Sequence, residues 1–145
     1  MPTTTIESLV SHFEKEYGVH LSKIPRKKII YDGKTKHGKS IVVIMPTSKI
    51  YKQGNGWVDF TQIQVEDLKK YHIAISIFRL SNGATYYIDM SKLFPLLTKK
   101  SIMENKREGK HWKMHIWSDR IDIKTGGEML FDKEHGIKVI GDLVH

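Results

Sequence analysis

Apolar residues recur at three- and four-residue spacing in Ile6, Leu9, Val10, Phe13 and Tyr17, with Ser8, Ser11, Glu14 and Lys15 between them. Such positions share one face, so the spacing predicts an amphipathic helix. Thr5 or Thr4 supplies its N-cap, Glu7 sits in its first turn, and Gly18 ends it. Residues 21–25 follow as a connector. The period then shortens: residues 28–32 and 40–45 predict the two strands of a hairpin. The second of these is apolar without a break at Ile41-Val42-Val43-Ile44, as a strand covered on both faces must be. A turn-rich basic stretch over residues 46–56 leads to Trp57-Val58-Asp59-Phe60. Next comes a largely polar helix, capped by Thr61 or Asp59, with Ile63, Leu68 and Tyr71 pointing inward.

Residues 72–80 form the clearest strand, Asn82-Gly83 the hairpin turn after it, and residues 84–90 its partner. Ser91 is expected to cap a short helix over residues 92–97, and Thr98 to begin another that reaches about residue 106. Residues 111–117 and 120–124 alternate with a period of two and predict a second hairpin. Gly126-Gly127 then turns the chain, and residues 137–140 predict a last strand. No internal repeat breaks the pattern, and a length of 145 residues suits one domain. The expected class is α/β, with a mixed central sheet flanked by helices. The core spans about residues 5–90, and a β-rich C-terminal extension spans about 110–145.

Composition narrows the chemistry. The chain has no cysteine, which excludes a disulfide framework, a thiolate metal site and a cysteine nucleophile. The start, Met1-Pro2-Thr3-Thr4-Thr5, has neither a basic region nor an apolar one, and no stretch approaches the roughly 20 apolar residues that span a bilayer. A cytoplasmic protein with no membrane partner is the expectation. Lys and Arg number 24 against 16 acids, a formal charge of +8. The basic residues cluster at 23–28, 34–39 and 99–113, favouring a polyanionic partner, with nucleic acid the commonest inside cells. An acidic protein partner is the alternative.

One literal motif stands out. Gly33-Lys34-Thr35-Lys36-His37-Gly38-Lys39-Ser40 spells the phosphate-cradling P-loop, G-x(4)-G-K-[ST]. A working P-loop opens a helix at its Lys-Ser end, so that backbone N–H groups converge on the phosphates. Here four β-branched residues, Ile41-Val42-Val43-Ile44, and then Pro46 follow, which favours a strand and a hairpin turn. Nucleotide binding, with Asp89 at the end of Tyr86-Tyr87-Ile88 as a Mg²⁺ ligand, is the minor reading.

From Ile6 to Met90 the order is helix, strand, turn, strand, basic loop, helix, strand, strand. This order, with an acid at Glu7 or Glu14 on the helix, Asp32 in the hairpin and Gln64 on the second helix, resembles the PD-(D/E)xK nuclease superfamily. The likeness is to its Holliday junction resolvases and restriction-endonuclease-like cores. The resemblance implies a DNA-directed protein of a phage or defence system and, if catalytic, a Mg²⁺-dependent endodeoxyribonuclease. Where that family carries E-x-K on the buried strand, this chain has neither carboxylate nor lysine. Two readings follow. The roles have moved to Asp59 or Glu66 with Lys49, beside Glu14 and Asp32, so that Asp32 and Asp59 hold the metal; or the fold survives as a binding module, the form favoured here. Phosphate contacts are expected from Lys34, Lys36, Lys39, Lys49, Lys52, Arg107, Lys110 and Lys113, and a homodimer is left open.

On a strand, His111, Lys113, His115 and Trp117 share one face, a polar binding surface, while Trp112, Met114 and Ile116 share the other and form core. His111 and His115 lack a third ligand at a diagnostic spacing and are not read as metal ligands. Asp89, Asp119 and Asp122 read as turn and surface acids.

Overall fold

The computed structural model describes residues 2–145, apart from the side chains of residues 133–137 and 139. The chain runs α1 (Ile6–Tyr17), β1 (His20–Lys23), β2 (Ile30–Lys34), β3 (Ser40–Ile44), β4 (Thr47–Ser48), β5 (Gly56–Thr61), α2 (Gln62–Leu68), β6 (Ile73–Leu80) and β7 (Thr85–Asp89). It continues through α3 (Met90–Leu93), a 3-10 turn (Phe94–Leu96), β8 (Met103–Asn105), β9 (Gly109–Ile116), β10 (Arg120–Ile123), β11 (Glu128–Leu130) and α4 (Lys133–Val144). The class is α/β, and the central sheet is mixed.

Alternation along β3 and β6 sets the layers. Ile41, Val43, Ile73, Ile75 and Ile77 face Leu9, Phe13 and Tyr17 of α1 and Ile140 and Val144 of α4. Val42, Ile44, Phe78 and Leu80 face Val58, Phe60, Trp112, Met114 and Ile116 of a second sheet. Helices α1 and α4 therefore cover one side of the first sheet, and the second sheet covers the other together with Val65 and Leu68 of α2 and Met90 and Leu93 of α3. Burial on both faces explains why β3 and β6 are apolar throughout. Phe60 stacks on Phe78 at 6.2 Å between centroids, joining the sheets at their centre.

The first sheet has the order β1-β2-β3-β6-β4, with β7 on β6. β1, β2 and β3 pair antiparallel, whereas β3 and β6 are parallel. β4 meets β6 in the same relative register as β3 does, so β3 and β4 are one strand interrupted at Met45-Pro46. Arg79 mends the gap: its backbone N–H donates to the Pro46 carbonyl over 2.9 Å, and its Nε and Nη2 donate to the Met45 carbonyl over 3.0 and 2.7 Å. Burial depresses the Arg79 pKa, against the pull of Glu7.

The second sheet runs β11-β10-β9-β5 with β8 also on β9, and β5 is drawn from the middle of the chain. The C-terminal β-hairpin is thus completed by a strand from what the sequence assigns to the core. Gly33-to-Ser40 is a hairpin turn: the Thr35 N–H donates to the Lys39 carbonyl, the Lys39 N–H donates back to the Thr35 hydroxyl oxygen, and β3 starts at Ser40 with no helix.

Five expectations need correction. Residues 21–25 belong partly to β1, an edge strand in which only Leu21 is buried, so no period-two signal marks it. Helix α3 begins at Met90, capped by Asp89, whose Oδ1 accepts from Ser91 N at 3.0 Å; Asp89 is buried, not a surface acid. No helix spans 98–106, because the buried Ser101 hydroxyl ties a turn with Thr98 and β8 follows. Residues 137–140 lie in α4, where docking of Ile140 and Val144 outweighs the β-branched composition. Ile63 is 68% exposed, and Val65 takes its place inside α2 with Leu68. Among the described residues, no helix is long and apolar enough to cross a membrane.

Candidate nucleic-acid interface

The outer face of the second sheet is polar and aromatic by strand alternation. Val58 and Phe60 point into the core, so Trp57, Asp59 and Thr61 point away from it. They stand opposite His115, Lys113 and His111 of β9. The Trp57 ring carries Lys113 Nζ 5.5 Å and Lys124 Nζ 5.8 Å from its centroid and meets His115 edge-on at 4.3 Å. Asn55 donates to His115 Nδ1 over 2.8 Å, which makes Nδ1 an acceptor and puts the ring proton on Nε2. Further along, Arg120 lies 4.7 Å from the Trp117 centroid, and Trp117 Nε1 donates to Asp122 Oδ2 over 3.0 Å.

Two clefts meet at Trp57. One, of about 550 Å³, is lined by Tyr51, Lys52, Gln53, Asn55, Trp57 and His115. The other, of about 480 Å³, includes Lys49, Tyr51, Trp57 and Ser81. Tyr51 stands half exposed between them. Of the expected phosphate ligands, the fold therefore gathers Lys49, Lys52 and Lys113 around one tryptophan. Lys34, Lys36 and Lys39 are exposed at the β2–β3 turn of the other sheet, and Arg107 and Lys110 at the β8–β9 turn. Tyr51, Trp57 and Lys124 are the members that sequence reasoning does not single out. The period-two pattern of residues 57–61 marks the outward face of Trp57, but its pairing with β9 is non-local.

The expected catalytic acids are dispersed. Glu14 closes the α1–β1 corner, with Oε2 accepting from Leu21 N at 2.9 Å and lying 3.0 Å from His20 Nδ1. Asp32, in the first sheet, accepts from the Tyr71 hydroxyl over 2.7 Å. Burial, reinforced by the Asp32 bond and charge, pushes the Tyr71 phenol up to about 12. Glu66 is exposed on α2, and Gln64 is engaged in a capping box with Thr61. Asp59 belongs to the second sheet, where Oδ1 accepts from Trp57 Nε1 at 2.9 Å and Oδ2 lies 3.4 Å from Lys113 Nζ. Asp32 and Asp59 thus serve different sheets and different partners. The strand that would carry E-x-K is at most 1% exposed from Ile41 to Ile44, without space for a carboxylate. These donors do not fit a shared Mg²⁺ site.

A different group does converge. One ligand atom each from Asp59, Glu108 and His111 lie within 4.8 Å of one another, and this is the one such trio among the described residues. Glu108 stands three residues before His111, a spacing visible in the sequence, while Asp59 arrives through the β5–β9 ladder. His115, which shares a strand face with His111, is instead held by Asn55. No protein-family model, curated protein or solved structure matches the chain.

Proposed function

We propose that this protein binds nucleic acid, DNA in the first place, through the Trp57 face of its second sheet, and that it does so without hydrolysing it at the first sheet. The observation that carries this reading is the placing of Trp57 where two clefts meet, with Lys49 and Lys52 beside it and Lys113 and Lys124 over its ring. Flexible lysines hold phosphates while an aromatic face accepts a base, and the pairing tolerates any sequence because every base has a π-face. Stacking needs an unpaired base, so the face suits single strands or the open arms of branched DNA better than an intact duplex. A formal charge of +8 supplies the long-range attraction. The element order from α1 to β7 supports the likeness to nuclease cores, and the fully buried β3 supports the binding form of that likeness over a catalytic one.

Fluorescence anisotropy with labelled single-stranded, branched and duplex DNA tests the reading. Affinity should fall steeply with salt, since phosphate contacts release counterions. A flat salt response, or equal binding by a variant lacking Trp57, would remove it.

A further inference from the structure

His111 is 1% exposed, and its two ring nitrogens are treated differently. Nδ1 lies 2.8 Å from the Gly109 carbonyl oxygen, which can only accept, so Nδ1 carries the proton. In the neutral ring the Nε2 lone pair is then free, and Nε2 is buried without a hydrogen-bond partner. It approaches Glu108 Oε2 to 3.2 Å, but without the alignment of a hydrogen bond. A lone pair facing two carboxylates is repulsive unless a proton or a metal ion lies between them, and a metal ion would satisfy the nitrogen and both carboxylates at once. We propose that Asp59, Glu108 and His111 bind one divalent transition-metal ion, with one nitrogen and two oxygen ligands.

The surroundings are those of a ligand set held in place from behind. A backbone carbonyl on Nδ1 is a common second contact of a metal-bound histidine, fixing both the tautomer and the ring orientation. Asp59 is oriented in the same way by Trp57 Nε1 on Oδ1, which leaves Oδ2 with only the long 3.4 Å approach of Lys113. Glu108 is the most exposed of the three. It is exposed and also lines a cleft of about 410 Å³ with Lys27, Gln62 and Lys110, which gives an ion its way in. Metal–ligand bonds of about 2.0–2.2 Å place neighbouring ligand atoms some 3–4 Å apart; Glu108 Oε2 and His111 Nε2 already stand 3.2 Å apart, and the whole trio lies within 4.8 Å. Imidazole with carboxylates suits Zn²⁺ or Mn²⁺ better than Mg²⁺, which demands an octahedron of oxygens. The metal site does not need nucleic acid to form, although Trp57 and Lys113 touch both its ligand Asp59 and the proposed nucleic-acid face.

Calorimetric titration of the full chain with ZnCl₂, and separately with MnCl₂, tests the site, with tryptophan emission followed in parallel because Trp57 is bonded to a ligand. One equivalent of at least one of these ions should bind, and MgCl₂ at the same concentration should not displace it. Glu108→Gln, an exposed change that leaves the core intact, and Asp59→Asn should each weaken binding about 10-fold or more, and Trp57→Phe about 10-fold. His20→Ala, at a solvent-exposed histidine, should change nothing. Absence of saturable binding by both ions overturns the proposal. So does wild-type affinity in folded Glu108→Gln and Asp59→Asn proteins, which would place the ion on another of the histidines.

Discussion

The Tyr71 hydroxyl donates to Asp32 Oδ2 across 2.7 Å and ties the turn after α2 to the middle of β2. This bond makes Asp32 a structural acceptor, and it couples the protein to alkaline pH. The phenol of Tyr71 is raised to about 12 from an ordinary 10.0, first by burial and then by Asp32 and Asp67; Tyr87 is also raised to about 12, by burial and then Tyr17. The folded state thus holds protons that the unfolded state has released. Their contribution to stability is complete below the unfolded value and is lost as pH rises through about 12. Chemical denaturation should show stability falling between these limits. In an ultraviolet titration, Asp32→Asn should lower the Tyr71 phenol while leaving it above its ordinary value, since burial remains; Tyr71→Phe identifies the transition. DNA affinity should be unchanged in Asp32→Asn.

At the proposed DNA face, Trp57→Ala should weaken single-stranded DNA binding by the roughly 1–3 kcal/mol that a base–aromatic stack is worth, or about 5- to 150-fold. Trp57→Phe should keep most of that affinity. Lys124→Ala should lower the salt slope by about one unit with a uniform loss across sequences. Lys34→Ala, at the turn of the other sheet, should do neither. Anisotropy titrations at several salt concentrations separate these outcomes.

The glycines of the P-loop-like string have a steric explanation that predicts its own mutants. A Cβ on Gly33 would collide with the His20 carbonyl oxygen of the neighbouring strand, and Gly38 turns the hairpin at φ +80°. Gly33→Ala should cost about 1–3 kcal/mol or more through forced separation of β1 from β2. Lys39→Ala, at an exposed position, should fall within about 0.5 kcal/mol of wild type and should not alter nucleotide-dependent protection. Urea denaturation with and without ATP distinguishes this from a phosphate-binding loop.

Ser76 stands in the middle of β6 with its hydroxyl buried and unpaired, between Ile44 and Ile88 on the flanking strands. Ser76→Ala removes a desolvated polar atom while leaving the neighbouring packing in place. It should stabilise the protein by up to about 1 kcal/mol, since an unmade buried bond costs about 1–3 kcal/mol. A lowered urea midpoint would show that the hydroxyl has a role of its own.

The first sheet is legible in the sequence apart from β1 and β4, and of the second sheet the β9–β10 hairpin is legible while its joining to β5 is not. β3 and β6 are legible because burial on both faces leaves an unbroken apolar run, and α1 because its stripe, Thr5 cap and Gly18 stop agree. β1 and α4 were missed for opposite reasons. The first is an edge strand with a single buried residue; the second is a helix whose β-branched residues are overridden by docking. The candidate site was half legible. The alternation of β9 put His111, Lys113 and His115 on one face, but Trp57 and Asp59 join them only through a ladder that links residues far apart in the chain. The acids suggested by element order were individually present and spatially unrelated, because order along a chain does not fix which side chains share a face.

That ladder has a kinetic consequence. Gly56 pairs with Ile116 and Thr61 with His111, so the second sheet cannot be nucleated by neighbouring turns alone. Its closure must wait for a long loop to fold back, and non-local pairing of this kind slows folding towards milliseconds to seconds. Both the Trp57 face and the Asp59 group should therefore emerge late in refolding, after the β2–β3 and β6–β7 hairpins have formed.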